Sequence, residues 1–486
     1  MATISAARKA AFAILMGVER GQSHSDDLLR GKAVNGLSAP DRNLATALVL
    51  GVLRNQIRLD HDLQSLLKRP NGKLDAEIRI SLRLGAFQLL HMDRIPDRAA
   101  IDESVELAKQ AGHNFASKMV NAVLRKLAGT LQAAERGRID SAVHVPGATS
   151  SHAPQLSSPA AFLALWGERP EESVAEVALA ESHPAWMVER WAGFYGFEAA
   201  RQICRHGQTQ PALAIRFANP AIEAELEAVG IQLAPGELLT AARTVVSGDV
   251  AATAAFKEGR VRLQDEGSQL VGEIAGQGSK AGTSAILDCC AAPGGKTLIL
   301  AERNPEARIL ACESSPPRLA QLQSRLAAYA DRVECRLADT TTLTEGAAFD
   351  VVLADVPCSG TGTLGRNPEI RYRLSVEDLP RQAERQRAIL VAALRCVRPG
   401  GRVVYSTCSL EPEENEQVVA SVLAENAKAR LVSLESCIGD LESRGILASN
   451  AAARLKATLT AEGTLRLLPG AFRTDGFYIA LIEKSA

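Results

Sequence analysis

Over residues 4–130 apolar side chains recur every three or four positions, in ARKAAFAILMGVERG, DRNLATALVLGVLRNQIRLDHDLQSLL, AEIRISLRLGAFQLLHM and IDESVELAKQAG with SKMVNAVLRKL. That period gives each segment one apolar face and predicts a run of packed helices, an all-α domain. Ser38, with Pro40 and Asp41 behind it, offers a helix start, and Pro70-Asn71-Gly72 a break. Residues 131–180 are rich in Ser, Ala, Pro and Gly, the composition of a linker. SHPAWMVERWAGFYGFEAARQI (182–203) turns helical again, followed by the strand-like PALAIRFANP (211–220) and by VRLQDEGSQLVGEI (261–274). From about 283 the period changes. TSAILD, RILACE (308–313), RVECRL, FDVVLAD and RVVYS are continuous apolar runs separated by helices, and GTLRLLPG and GFYIALIEK close the chain. Strand–helix alternation with fully apolar strands predicts a doubly wound parallel sheet. The expected divisions are a helical domain at 1–135, a linker at 136–180, a small α/β subdomain at 181–275 and the parallel α/β domain at 276–486.

Composition narrows the class. The 486 residues are 46% apolar, enough for real cores in about three domains. Nine cysteines make an odd count with no CxxC spacing, against both a disulfide framework and a zinc site, so reduced cytosolic thiols and no metal are expected. The N-terminal AARKAAFAILMGVERG has too short an apolar core and too early a charge for a signal peptide, and no later run is long enough to span a membrane. A cytoplasmic monomer is expected. The net charge of −1 hides an asymmetry: residues 1–140 carry 21 Lys/Arg against 15 Asp/Glu, a balance of +6. That hints at a polyanion-binding module, although on charge alone an ordinary spread of solvated helix faces explains a balance of this size better.

The chemistry lies at the strand ends. LDCCAAPGGKT (287–297) ends a strand in a glycine-rich turn that opens a helix, where a Rossmann-like fold lets a ligand approach backbone amides. The turn, Cys290, Ala291, Ala292, Pro293, Gly294, Gly295 and Lys296, is not GxGxxG. Glu313 ends the next strand, about where such folds hold ribose hydroxyls, and Asp339 and Asp355 end the two after it. Carboxylates around one pocket suit a cation with an adenosine end and would repel a pyrophosphate. S-adenosyl-L-methionine fits better than NAD or ATP.

Two thiols stand at the last two strand ends, Cys358 in VLADVPCSGTG (352–362) and Cys408 in RVVYSTCSL (402–410). No histidine follows residue 206, so the domain holds neither a Cys–His dyad nor the commonest general base. Methylation of C5 of cytosine is chemistry that thiols and carboxylates can perform. A thiolate adding to C6 makes C5 nucleophilic, provided N3 is protonated or hydrogen-bonded, and loss of the C5 proton then releases the thiol.

LDCCAAPGGKT, ADVPCSGTGTLGRNPEIRYR and YSTCSLEPEENEQVV together resemble the RNA 5-methylcytosine methyltransferases of the Nol/Nop/Sun type, and ARKAAFAIL, LVLGVLRN and LRLGAFQLL resemble the NusB-type RNA-binding domain. The fusion resembles the members that modify small-subunit ribosomal RNA. It implies a NusB-like helical bundle joined to a class I methyltransferase domain. Carried over residue by residue, Cys408 is the C6 nucleophile, Cys358 assists elimination, and Asp355 contacts N3 beside the cofactor. Glu313 stands where the family has Asp, which alters reach, and Cys289 beside Cys290 takes no role.

Among further positions, Arg366, Arg371 and Arg373, in RNPEIRYR, and Arg216 read as RNA contacts, as do Arg54, Arg58, Lys118, Arg125 and Lys126. Each competes with an ordinary solvated face. His91 and His183 read as structural, as do the remaining cysteines, and the acidic run EPEENE (411–416) reads as a helix N-terminus. The same chemistry on tRNA, and a silent RNA-binding or assembly factor, stay open as rivals. A silent site has no chemical need for both thiols and Asp355.

Overall fold

The computed structural model describes residues 4–70, 72–142, 173–217, 219–278 and 284–485. Most of the expected linker, and the first residues of the strand-bearing region, lie outside them. The chain divides into two compact units, residues 1–208 with 366–372, and residues 209–365 with 373–486.

The first unit is helical, as the apolar period predicts. Its first helices are α1 (Ala6–Glu19), α2 (Ser25–Leu29), α3 (Ala39–Gln64), α4 (Ala76–His91), α5 (Asp97–Gln110) and α6 (Ser117–Ala142). Ser38 caps α3, accepting the Asp41 N–H at 3.3 Å, with Pro40 in the first turn. The apolar stripes meet in one core containing Leu48, Leu59, Leu82, Leu84 and Leu124, all essentially inaccessible. The helices Ala185–Tyr195 and Phe197–Gln208, expected to open the small subdomain, belong to this unit.

So does the segment 366–372, and this overturns part of the RNA reading. Arg371 is 2% exposed and donates to the carbonyls of Arg54 at 2.9 Å, Gly207 at 2.7 Å and Ser182 at 3.4 Å. Tyr372 donates to the Leu53 carbonyl at 2.6 Å. Glu369, buried, accepts the Ser25 N–H and hydroxyl, both at 2.9 Å. Arg371 thus spends its fork on three backbone carbonyls, and a phosphate cannot reach it.

The second unit begins with a small antiparallel sheet of β1 (Leu213–Phe217), β2 (Gln232–Pro235), β3 (Ala242–Ser247) and β4 (Val261–Leu263), in the order β2-β3-β1-β4. Arg216 on β1 is also 2% exposed. It pairs with Glu273 at 2.7 Å and Glu302 at 3.2 Å, and these also hold Arg303 at 2.7 Å and Arg262 at 2.5 Å. The network locks the small sheet to the helices Glu266–Gly276 and Gly295–Arg303. Arg216 is a buried strut and not an RNA contact.

The main sheet contains β5 (Ala285–Asp288), β6 (Arg308–Glu313), β7 (Val333–Leu337), β8 (Phe349–Asp355), β9 (Val397–Thr407), β10 (Ala429–Val432), β11 (Leu465–Leu467) and β12 (Phe477–Lys484). Its order is β10-β12-β9-β8-β5-β6-β7, with β11 beside β12. Strands β5 to β9 are mutually parallel where they pair, and β12 runs antiparallel to β9. From β5 the chain runs outward through β6 to β7 and then crosses back to β8 on the other side of β5, so the carboxyl ends of β5 and β8 form the topological switch point where open α/β sheets bind ligands.

Candidate active site

At the switch point β5 ends on Asp288 and the chain enters the turn. Gly294 has φ +97°, a conformation that costs glycine nothing, and it caps the helix Gly295–Arg303. Buried Asp288 accepts the Thr297 hydroxyl at 2.7 Å, and burial pushes its carboxyl up to about 6. Glu313, at the end of β6, is 4% exposed and accepts the Ser315 N–H at 2.8 Å, with Arg318 3.4 Å away. Arg318 also donates to the Ala292 carbonyl at 2.8 Å. Asp339, exposed just past β7, accepts the Thr341 N–H at 2.9 Å. Turn, Asp288, Glu313 and Asp339 follow β5, β6 and β7, neighbouring strands that end on one edge of the sheet. Small residues and carboxylates, with Arg318 the cation beside Glu313, fit a ligand with ribose hydroxyls and positive charge. The donor set fits S-adenosyl-L-methionine.

Lys296, the last residue of the turn, is tied to Asp355. Its ammonium lies 2.7 Å from Asp355, whose other oxygen accepts the Ser406 hydroxyl at 2.7 Å. Burial alone would lower the Lys296 pKa. The Asp355 carboxylate outweighs it and, with Cys408, holds the lysine above its ordinary value, so it stays charged.

The two thiols come together. Strands β8 and β9 are in parallel register with Asp355 opposite Ser406, so the chain just beyond each delivers a half-buried cysteine to the same place. Cys358 Sγ and Cys408 Sγ are 3.3 Å apart. Gly362 N–H donates to the Cys408 carbonyl at 2.9 Å, and a Cβ on Gly362 would stand 2.8 Å from that oxygen, so only glycine lets the two loops approach this closely. The hydrogen bond to Cys408, then burial, then the charges of Cys408 and Glu414 push the Cys358 thiol well above its ordinary range, against the Gly360 N–H, which acts to lower it. Cys358 stays protonated. Cys289, Cys312, Cys396 and Cys204 lie in the core, as their expected filler role requires.

Glu414 escaped the sequence reading. The run 411–416 does lead into a helix, Glu416–Glu425, but Glu414 is fully buried in the turn before it and bonds to residues following both cysteines. The three-residue spacing of Glu414 from Glu411 carries no sign of this, and only the adjacency of β8 and β9 reveals it.

Residues 279–483 match the family described as 16S rRNA methyltransferase RsmB/F, and residues 5–129 match the NusB family. The chain is 32% identical to the probable ribosomal RNA small subunit methyltransferase B of Bacillus subtilis (strain 168), over 98% of both chains. It is 30% identical to the ribosomal RNA small subunit methyltransferase B of Vibrio cholerae, over 98% of this chain and 96% of that one. The crystal structure of PH0851 shares the fold over 99% of this chain and 100% of its own, with a TM-score of 0.73 and 23% identity.

Proposed function

We propose, from the premise that this chain belongs to the RsmB/F family of 16S ribosomal RNA methyltransferases, that it methylates C5 of a cytidine through a covalent bond between Cys408 and C6. The chain is a ribosomal RNA methyltransferase that uses S-adenosyl-L-methionine. The observation that carries the finer reading is the pair of sulfurs 3.3 Å apart beside the Lys296–Asp355 ion pair.

The turn 290–296, Asp288, Glu313 and Asp339 would hold the cofactor, which when bound supplies the methyl group. Cys408 Sγ attacks C6, the role that the resemblance to the family gives it, with the Cys358 sulfur 3.3 Å away. The electron pair of the C5–C6 bond moves toward N3, where the pair of Asp355 and the charged Lys296 meets it with a hydrogen-bond donor. Asp355 keeps its expected place at N3, and Lys296 brings the proton that a carboxylate alone lacks. C5 then carries the new methyl group. Water takes the C5 proton, the C6–S bond breaks with its electron pair leaving on Cys408, the S–H of Cys358 donates a hydrogen bond to that departing thiolate, and N3 returns its proton to the Lys296–Asp355 pair. Arg366 and Arg373 remain proposed RNA contacts, with exposed Lys118, Arg125 and Lys126 on α6 as phosphate contacts. Bisulfite sequencing of small-subunit ribosomal RNA from cells with and without the protein tests the reading. A cytidine protected only when the protein is present is expected, and an unchanged map overturns it.

A further inference from the structure

Two strand tips that end in loops need something to hold their sulfurs in register. Each cysteine is followed by a serine, Ser359 and Ser409, and one carboxylate binds both. Glu414 Oε1 accepts the Ser359 N–H at 2.8 Å and the Gln386 amide at 2.8 Å. Its Oε2 accepts the hydroxyls of Ser359 and Ser409, whose oxygens stand 3.0 Å apart. All four acceptor positions of the carboxylate are thereby used. Gln386 also donates to the Pro357 carbonyl at 3.0 Å, and the Tyr405 hydroxyl fixes the Glu414 carbonyl at 2.6 Å. Glu414 is completely buried, yet no Lys or Arg bonds to it in the hydrogen bonds and ion pairs of the described residues. A buried charge neutralised only by hydrogen-bond donors costs stability that an apolar residue would not. Its place is explained by what it holds.

We infer that Glu414 is a positioning residue of the methyl-transfer site: it clamps the Cys358 and Cys408 loops through Ser359 and Ser409 and sets the distance between the sulfurs. This rests on the covalent reading of the two cysteines. A carboxamide in its place keeps the shape but offers one acceptor oxygen and turns an N–H₂ toward donors, so one loop loses its hold. Misplacement of reacting groups by about 1 Å costs on the order of 100-fold in rate.

The test compares Glu414→Gln, Ser409→Ala and Cys408→Ala in the full-length protein, reading kcat, KM for RNA, S-adenosyl-L-methionine affinity and the pH dependence of adduct release. For Glu414→Gln the expected result is a kcat lower by about 10- to 100-fold, with KM and cofactor affinity within about twofold. The release limb that depends on Cys358 moves to lower pH, because a negative charge beside the thiol has gone. A purely structural role would not move that limb. Wild-type kcat with an unmoved pH profile overturns the inference. Should Glu414→Gln lose cofactor binding as well, Ser409→Ala decides, since it removes a single donor from the same carboxylate: a reduced kcat with intact cofactor binding supports the clamp, and a wild-type kcat overturns it. Turnover by Cys408→Ala would instead bring down the covalent reading itself, whatever Glu414 does.

Discussion

Replacing Arg216 with Met separates two pictures of a basic residue. Burial leaves it 2% exposed, with Glu273 at 2.7 Å and Glu302 at 3.2 Å. Removing one member of a buried ion pair typically costs about 3–5 kcal/mol, because the partner is left charged and unpaired. Here each carboxylate keeps a second guanidinium, Arg303 for Glu273 and Arg262 for Glu302. Met also fills much of the volume, so the cost falls below that range, at about 2–3 kcal/mol. For a unit of this size that lowers Tm by about 5–10 °C. All three tryptophans lie before residue 208, so tryptophan fluorescence follows the helical unit and serves as the internal control. Differential scanning calorimetry follows the catalytic unit. The expected outcome is a lowered catalytic-unit transition, an unmoved fluorescence transition, and RNA affinity with an unchanged salt dependence. An unchanged transition with RNA affinity lowered and a shallower salt slope would refute the buried-strut account.

Cys358→Ala should permit attack but stall release, so that protein–RNA adducts accumulate on a denaturing gel; an adduct trapped by Cys408→Ala instead would exchange the two roles. Glu313→Ala should weaken S-adenosyl-L-methionine binding by about 1.5–3 kcal/mol, one charge-assisted hydrogen bond, in calorimetry on a folded protein, and unchanged affinity would show that the carboxylate faces elsewhere. Asp288 has its carboxyl raised to about 6, so it is ionised above that pH and neutral below. A cationic ligand selects the ionised form, and cofactor affinity should therefore fall as pH drops through about 6, a dependence that Asp288→Asn should abolish. Neutralising Lys118, Arg125 and Lys126 together should lower the slope of log RNA affinity against log salt by about 0.7–0.9 per lost phosphate contact, and an identical slope would remove α6 from the RNA surface.

The strand ends were legible because the central stretch of a buried parallel strand, VVLA in β8 and VVY in β9, stays apolar until the chain leaves the core. The break in VLADVPCSG and in VVYSTCSL therefore marks the carboxyl edge directly, and both sulfurs were found. The helices of the first unit were legible for the same reason, through their 3.6-residue period. Burial of charge was not. Arg216 and Arg371 read as basic surface because guanidinium is mostly exposed, and their partners, Glu273 and the carbonyl of Arg54, are distant in sequence. The acidic run 411–416 concealed Glu414, since carboxylates before a helix are expected in water. The Lys296–Asp355 pair joins residues 59 apart, one on the helix after β5 and one at the end of β8, brought together because β5 and β8 are neighbours in the sheet. No local period encodes such a contact.

The covalent bond itself is the most direct measurement. Purified Cys358→Ala protein, mixed with small-subunit ribosomal RNA and S-adenosyl-L-methionine, nuclease-digested and then proteolysed, is read by mass spectrometry. The account predicts a peptide containing Cys408 that carries a methylated cytidine on sulfur, absent when Cys408 is also replaced by Ala. A modified nucleotide on Cys358 in the Cys408→Ala protein, or methylated RNA from a protein lacking both thiols, would contradict it.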